Sequence, residues 1–173
     1  EDADAVNVIA EIPGTDPRLA GEVVMVGAHL DSWHSATGST DNADGSSVSM
    51  EALRILNAVG ARPRRTIRMA LWSGEEQGLL GSREYVRRHL EGEANTSERE
   101  RFSVYFNLDN GYVPIYGFYM EGNEEMKAIM DAYLRPFHDD GATYNTLQGI
   151  GSTDHLSFLR AGVPGYQAIH DYT

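Results

Sequence analysis

The sequence predicts an α/β protein, a three-layer α/β/α sandwich around a mixed, mostly parallel central sheet. Apolar runs typical of buried strands alternate along the chain with stretches in which apolar residues recur at helical spacing, and this alternation indicates the fold class. The chain has 173 residues, 41% of them hydrophobic, which is enough to bury one core of ordinary size. We therefore expect residues 1–173 to belong to a single domain.

The first half of the chain contains three predicted strands and one predicted helix. The apolar runs 6–12 and 23–28 predict neighbouring strands, separated by the Pro- and Gly-containing turn 13–21. Helical spacing of apolar residues predicts a helix over 48–59, and the run 66–72 predicts the third strand. Polar residues follow two of these strands directly, so we expect the strand ends to carry the chemistry.

The second half continues the same alternation. Its predicted elements are a helix over 82–90, strands over 102–108 and 115–120, a helix that Asn123 begins and Pro136 helps to stop, a short helix over 154–161 and a strand over 163–169. The polar stretch 91–101 is predicted to be an exposed loop without a function.

Charge and residue usage exclude several function classes. The chain has 14 basic and 26 acidic residues and a formal net charge of -12, so we expect neither nucleic acid nor an anionic membrane as a partner. Cysteine is absent, so a metal would have to be held by His, Asp and Glu. No apolar run is long enough for a membrane span, and we recognise no signal peptide in these residues.

Acidic and histidine residues cluster where predicted strands end. The clusters are His29-Leu30-Asp31, Asp41-Asn42, Glu75-Glu76 and Asp109-Asn110. Ligands of open α/β sheets bind outside the carboxyl ends of the strands, and carboxylates with an imidazole are what a two-metal hydrolytic site requires. Because a ligand histidine usually passes its second N–H to a carboxylate, Asp31 is predicted to orient His29.

Each cluster taken alone also has a structural interpretation. His29 and Asp31 could form a structural pair, and Asp41 and Asp109 could belong to turns or caps. Adjacent glutamates after a strand are usually solvated charges at a helix start. The glycines around Glu75-Glu76 favour the functional interpretation, because they permit a tight turn in which successive side chains point in different directions.

Together, five motifs resemble those of the co-catalytic zinc exopeptidase family, which includes secreted bacterial aminopeptidases and plasma glutamate carboxypeptidase-like proteins. The motifs occupy 26–32, 38–42, 72–82, 107–110 and 151–155 and follow the family's order. The segments 29–33 and 157–164 are most similar to the plasma glutamate carboxypeptidase-like branch. The resemblance implies a phosphorylase/hydrolase-like fold, and a catalytic domain that is truncated at both ends.

The resemblance also implies roles for individual residues. Asp41 would bridge two zinc ions, His29 and Asp109 would complete one ion, and Glu76 would bind the other. Glu75 would be the general base. Asp31, beside His29, is predicted to belong to the catalytic group, and Asp154 and His155 would lie behind the ligands or beside the substrate; the alternative for Asp154 is an N-cap of the helix that follows.

The implied activity is that of a secreted or periplasmic metal-dependent exopeptidase, which hydrolyses peptides or dipeptides with a metal-bridging water. Two alternatives remain open: a glutaminyl cyclase-like enzyme with one zinc, and a non-catalytic relative that serves as a binding or structural module. Amino- or carboxypeptidase polarity, side-chain preference and oligomeric state do not follow from the sequence.

The sequence departs from the family's pattern at two places. The second ion's histidine is expected in a His-Thr motif after the last strand, and here either His170 or a residue beyond Thr173 would supply it. A tyrosine that precedes the Asp-His motif in several aminopeptidases corresponds to Ile150. Tyr112 and Tyr144 could replace it, but we assign neither to the site.

Overall fold

The computed structural model describes residues 5–111 and 113–170, and it contains a six-stranded mixed sheet of order β1-β3-β2-β4-β6-β5. The strands are β1 Val8–Ile12, β2 Val23–His29, β3 Thr66–Trp72, β4 Phe102–Asn107, β5 Gly117–Tyr119 and β6 Gly165–Ile169. The helices are α1 Asp44–Ala58, α2 Leu80–His89, α3 Thr96–Arg101, α4 Glu124–Leu134 and α5 His155–Arg160. An irregular turn, Ser39–Ala43, leads into α1.

The central strands of the sheet are parallel, and its two edge strands are antiparallel. β2 pairs with β3 and β4, and β4 pairs with β6, all in parallel register. β1 and β5 pair antiparallel with β3 and β6. The carboxyl ends of β2, β3 and β4 therefore meet at one edge of the sheet, as the sequence predicted for the candidate site.

The expected neighbour relation between the first two strands is wrong, because β3 lies between β1 and β2. The connecting segment after β1 explains this arrangement. Gly14 N–H donates to Thr66 Oγ1 at 3.0 Å, and Thr15 N–H donates to the Pro63 carbonyl at 2.8 Å. These bonds hold the segment at the start of β3, so that β1 runs back along β3 at the edge of the sheet.

Helices cover both faces of the sheet, which confirms the three-layer prediction. On one face, α2 and α5 enclose an aromatic core in which Trp72, Tyr105 and Phe158 are fully buried. On the other face, Met126 and Met130 of α4 pack with strand residues such as Tyr166, and Met50 and Leu53 of α1 line a shallow pocket beside Met69 of β3. Burial of these apolar side chains is the main favourable term in folding.

The prediction of a loop over 91–101 is wrong, although none of these residues is buried and most are exposed, as expected. A 3₁₀ turn, Glu93–Asn95, is followed there by α3. Asn95 Nδ2 donates to the carbonyls of Arg88 and Glu91, and Arg99 donates to the Leu90 carbonyl at 2.8 Å. These bonds satisfy carbonyl groups at the end of α2, so a stretch with little apolar content is nevertheless ordered.

None of the helices in the described ranges 5–111 and 113–170 has both the length and the apolar character needed to cross a membrane.

Candidate metal centre

Three neighbouring parallel strands bring the predicted ligands together. His29 is the last residue of β2 and lies beside Trp72, the last residue of β3. Glu75 follows Trp72 by a short turn, and Asp109 follows β4 just beyond Asn107, which lies opposite Gly27 of β2. The buried strands thus fix the positions from which these side chains extend over the sheet edge.

Carboxylates surround the Nε2 atom of His29. Asp41 Oδ1 lies 3.0 Å from it, Asp109 Oδ1 lies 3.1 Å from it and Glu75 Oε2 lies 4.0 Å from it. Donor atoms of His29, Asp41 and Asp109 lie within 4.8 Å of one another, and so do those of His29, Glu75 and Glu76. The structure therefore brings together all four predicted metal ligands and the predicted base, with His29 common to both groups.

Asp41 reaches the centre because the loop that carries it is fastened to the end of β4. The buried Asn42 donates from Nδ2 to the Leu108 carbonyl at 2.9 Å, and its Oδ1 accepts the Gly45 N–H at 3.1 Å. A Cβ at Gly45 would lie 2.4 Å from Asn42 Oδ1 and 2.6 Å from the Leu108 carbonyl oxygen. Asn42 and Gly45 thus hold the loop that carries Asp41 against the segment that carries Asp109.

Asp31 makes contacts that differ in part from the predicted ones. His29 Nδ1 donates to the backbone carbonyl of Asp31 at 3.0 Å, whereas the Asp31 carboxylate lies 3.6 Å from that nitrogen. The same carboxylate accepts the N–H of Glu75 at 3.1 Å and of Glu76 at 3.2 Å. Since Nδ1 donates to a carbonyl, Nε2 is the nitrogen that would bind a metal ion once it loses its proton.

The crowding of carboxylates shifts the pKa values of the groups at the centre. Burial would lower the pKa of His29, but the hydrogen bond and charge of Asp109 outweigh it and raise the pKa to about 10. Burial, followed by the charge of Asp109, raises the pKa of Glu75 to about 8. Burial and neighbouring carboxylates also raise the pKa values of Asp41 and Glu76. Bound cations would relieve this repulsion.

Asp154 lies buried behind the centre. It has no exposed surface, and neither of its carboxylate oxygens has a hydrogen-bond partner among the described residues. The nearby Ser82 hydroxyl lies 2.8 Å from the Ser157 hydroxyl instead. Burial raises the pKa of Asp154 to about 7. Asp154 occupies the N-cap position of α5, as the alternative interpretation expected, but its side chain makes no cap hydrogen bond to that helix.

His155 is also buried, and Glu121 is its partner. Nε2 of His155 lies 3.1 Å from Glu121 Oε1, which also accepts the Ile150 N–H at 2.9 Å. Burial lowers the pKa of His155. The sequence reasoning missed Glu121, because a lone glutamate after a short strand resembles an ordinary surface charge.

A buried chain of polar side chains that the sequence reasoning also missed supports Asp109. Gln167 Nε2 donates to the Asp109 carbonyl at 2.8 Å, and Gln167 Oε1 accepts from Asn107 Nδ2 at 2.6 Å. Asn107 in turn accepts from the Tyr105 hydroxyl at 2.5 Å, and that hydroxyl accepts from Trp72 Nε1 at 2.8 Å. The sequence does contain a signal for this chain of hydrogen bonds, because the amide residues Asn107 and Gln167 interrupt two otherwise apolar strands.

His170 belongs to neither of the two ligand groups found among the described residues. Its Nδ1 donates to the Val113 carbonyl at 2.7 Å, and its buried Nε2 has no hydrogen-bond partner there. Residues 171–173 and Tyr112 lie outside the described residues. Tyr144 is 51% exposed and packs against Tyr116, whereas Ile150 lines the cavity at the centre.

The ligand groups face a cavity of about 220 Å³. Its walls include Asp41, Glu75, Glu76, Asp109 and the segment 150–153. A buried histidine surrounded by carboxylates, at the carboxyl edge of a parallel sheet and beside such a cavity, defines the class of α/β protein with a candidate metal-binding site.

Comparison with known proteins supports this class and specifies the family. Residues 7–173 match peptidase family M28, and the chain belongs to that family. Carboxypeptidase Q from Xenopus laevis is 35% identical over 172 residues, which cover 98% of this chain and 34% of that protein. The solved M28 peptidase precursor of Shewanella amazonensis SB2B superimposes with a TM-score of 0.81 at 31% identity, over 95% of this chain and 36% of that one.

A zinc aminopeptidase from Bacillus subtilis is a further structural relative, with a TM-score of 0.74 and 30% identity over 94% of this chain and 39% of that one. The chain thus spans 34% of the length of the first carboxypeptidase Q relatives that it matches.

Proposed function

We propose that this chain contributes the catalytic domain of a zinc-dependent exopeptidase that hydrolyses peptides or dipeptides. One observation carries the proposal: five residues from four separate segments of the chain come together. Asp41, Glu75, Glu76 and Asp109 line one cavity, and the buried His29 lies against these carboxylates. The family membership and the zinc aminopeptidase among the structural relatives support the same assignment.

The donor set fits zinc. One imidazole nitrogen and several carboxylate oxygens suit that ion, and a second nitrogen of the same ring is already fixed by a carbonyl. Glu76 Oε1 is buried without a hydrogen-bond partner among the described residues, as expected of an oxygen that binds a cation. We propose two ions, with Asp41 as the shared carboxylate, as the family resemblance implies. Asp41 and Glu76 belong to two different ligand groups, which meet at His29.

Zinc at this position would make a water molecule more acidic and polarise the carbonyl of the scissile peptide bond. Glu75 performs the proton transfers in our proposal. Its carboxylate accepts the proton of the attacking water and then donates it to the nitrogen of the leaving amine. Asp31 holds the turn that presents Glu75, since it accepts the Glu75 N–H at 3.1 Å.

The test replaces Glu75 with Gln. We expect the zinc content to stay near that of the wild type and kcat to fall by roughly 10²- to 10⁴-fold, because the variant cannot accept a proton. Glu93→Gln, at an exposed position in the 3₁₀ turn, is the matched control and should leave both quantities unchanged. Turnover retained by Glu75→Gln would refute the assignment of Glu75 as the base.

Metal stoichiometry distinguishes the alternatives. Two zinc ions per chain, with peptide hydrolysis, support the exopeptidase; one ion with cyclisation of an amino-terminal glutamine supports a glutaminyl cyclase-like enzyme. Failure to bind any zinc would favour a binding module. Export to the periplasm or the medium remains a prediction that rests on the family resemblance.

A further inference from the structure

A second pocket adjoins the metal cavity and differs from it in charge. It encloses about 540 Å³, and its walls include Trp33, Leu79, Arg83, Leu156 and Arg160. We call it the arginine pocket. It shares Glu75, Glu76 and Ser152 with the metal cavity, so one small ligand can occupy both.

The two arginines of this pocket are unpaired. Neither Arg83 nor Arg160 forms an ion pair or a side-chain hydrogen bond with any residue in the described ranges. Six other arginines of the chain do pair with carboxylates; they are Arg54, Arg64, Arg65, Arg68, Arg87 and Arg88. With 26 acidic against 14 basic residues, carboxylate partners are abundant in this chain. The guanidinium groups of Arg83 and Arg160 pair with none of them and are therefore available to a ligand.

Unpaired arginines on a surface are common, and Arg62 is an example outside the pocket. Arg83 and Arg160 differ from Arg62 in their position, because they line the pocket beside the metal cavity. A Cβ at Gly78 would lie 3.9 Å from Arg83 Nη1, which places this guanidinium beside the turn that carries Glu75 and Glu76. Arg160 ends α5, the helix whose first turn contains the buried His155. Both cations also line the pocket whose walls include Glu75 and Glu76, which places them near the proposed reaction centre.

We propose that Arg83 and Arg160 bind a carboxylate of the substrate on the leaving-group side of the scissile bond. The proposal rests on the proposed exopeptidase function. Glu75 borders both cavities, so the amine to which it returns a proton can leave towards the arginine pocket while the amino end stays in the metal cavity. The acidic cavity suits the cationic amino end of a peptide, and the guanidinium groups suit an anion, which arginine can bind through two parallel hydrogen bonds.

The two cavities together suit the two residues on either side of the scissile bond. An extended dipeptide spans roughly 7 Å, and the cavities share three wall residues, so one substrate can contact both. The exposed indole of Trp33 and the side chains of Leu79 and Leu156 offer apolar walls to the residue that carries the carboxylate. With a terminal carboxylate bound there, the chain would act as a dipeptidase or as a carboxypeptidase.

The kinetic test compares an apolar dipeptide with its carboxamide, on the zinc-loaded protein. We expect kcat/KM to favour the free acid. Arg83→Gln and Arg160→Gln should each raise KM for the acid roughly tenfold with kcat little changed, and should leave the carboxamide unaffected. Arg83→Lys should recover part of the loss, because it keeps the charge but not the paired donors. Arg62→Gln is the matched control and should have no effect.

A further substrate identifies the source of the carboxylate. If a dipeptide amide with glutamate as its second residue is preferred over its glutamine counterpart, and this preference is lost in both variants, the pocket binds an acidic side chain. If only the terminal acid matters, it binds the peptide terminus. The proposal would be overturned if the wild type shows neither preference, or if the preference that it does show survives in Arg83→Gln/Arg160→Gln.

A binding measurement keeps the two proposals separate. Calorimetry on the zinc-loaded protein compares free leucine with leucinamide, and it requires no turnover. Binding of leucine that the double variant weakens supports the arginine pocket even if no peptide is hydrolysed, in which case only the exopeptidase proposal fails. If the dipeptide is hydrolysed but neither kinetics nor binding distinguishes acid from amide, only the arginine pocket fails.

Discussion

The carboxylate of Asp31 accepts the backbone N–H of Glu75 at 3.1 Å, and through its second oxygen it also accepts that of Glu76. The backbone carbonyl of the same residue accepts the Nδ1 proton of His29. One aspartate therefore connects the histidine at the end of β2 with the glutamate turn after β3. Its effect on the centre is one of positioning, since its carboxylate is occupied by two N–H groups.

We predict that Asp31→Asn lowers kcat/KM roughly 10- to 100-fold and weakens zinc binding by a similar factor. The amide keeps one acceptor oxygen but turns an NH₂ group towards the second N–H, which displaces the glutamate turn. Activity assays and zinc titrations measure the two effects. Asp16→Asn, at a loop carboxylate that also accepts backbone N–H groups, is the control for a general loss of stability. Wild-type activity in Asp31→Asn would contradict the positioning role.

The amide chain behind Asp109 allows a prediction about stability. Gln167→Met should lower the free energy of unfolding by about 1–3 kcal/mol, because it leaves the buried Asp109 carbonyl and one Asn107 N–H without partners. For a chain of this size the melting temperature should fall by roughly 2–10 °C. The same substitution at the exposed Gln148 is the matched control and should change the melting temperature little. Equal melting temperatures for the two variants would show that this network contributes no stability.

Gly45 has a packing role that substitution can test. A methyl group there would meet Asn42 Oδ1 and the Leu108 carbonyl, both at contact distances that no side chain tolerates, so the loop carrying Asp41 would have to shift. We expect Gly45→Ala to cost about 1–3 kcal/mol of stability and to weaken zinc binding. Gly151→Ala, where a Cβ meets nothing within 4 Å, is the control for stability. If both variants melt like the wild type, the close approach at Gly45 is not essential.

The sequence predicted most of the fold because its strands are continuous apolar runs, and such runs identify buried parallel strands without any knowledge of their order. It could not predict that β1 lies beside β3, because that position depends on hydrogen bonds from Gly14 and Thr15 to residues about fifty positions later in the chain. Likewise, 91–101 lacks an apolar pattern, and its helix is held by polar bonds to the end of α2.

The candidate ligands could be predicted because His, Asp and Glu at strand ends are themselves the signal. The residues that support these ligands could not be predicted. Gln167 and Asn107 act through hydrogen bonds whose partners only the folded chain brings together, and Glu121 meets His155 across a separation that no local pattern records. The sequence predicts that the Asp31 carboxylate orients His29, but in the structure this carboxylate accepts two N–H groups from the turn after β3.

The metal-free protein should lose stability as the pH rises. The folded-state pKa values of Asp154, Glu75 and His29 are about 7, 8 and 10, each above the ordinary values of 3.8, 4.5 and 6.5. These three groups therefore bind more protons in the folded chain than in the unfolded chain between about pH 4 and pH 10, and their contribution to the free energy of unfolding falls across that window. Each contribution is complete below the ordinary pKa and is lost as the pH passes through the raised one.

Thermal melting of the chelated protein between pH 5 and pH 9.5 measures this fall. Saturating zinc should remove most of it, because bound cations replace the protons and favour the ionised ligands. Zinc binding should accordingly release protons at pH 7, which calorimetry in buffers of different ionisation enthalpy detects. Asp154→Asn should remove the part of the loss due to Asp154 and also reduce the parts due to Glu75 and His29, because the charge of Asp154 helps to raise both of those pKa values. A melting temperature of the metal-free protein that is constant or rises from pH 5 to pH 9.5 would contradict the charge balance described for this centre.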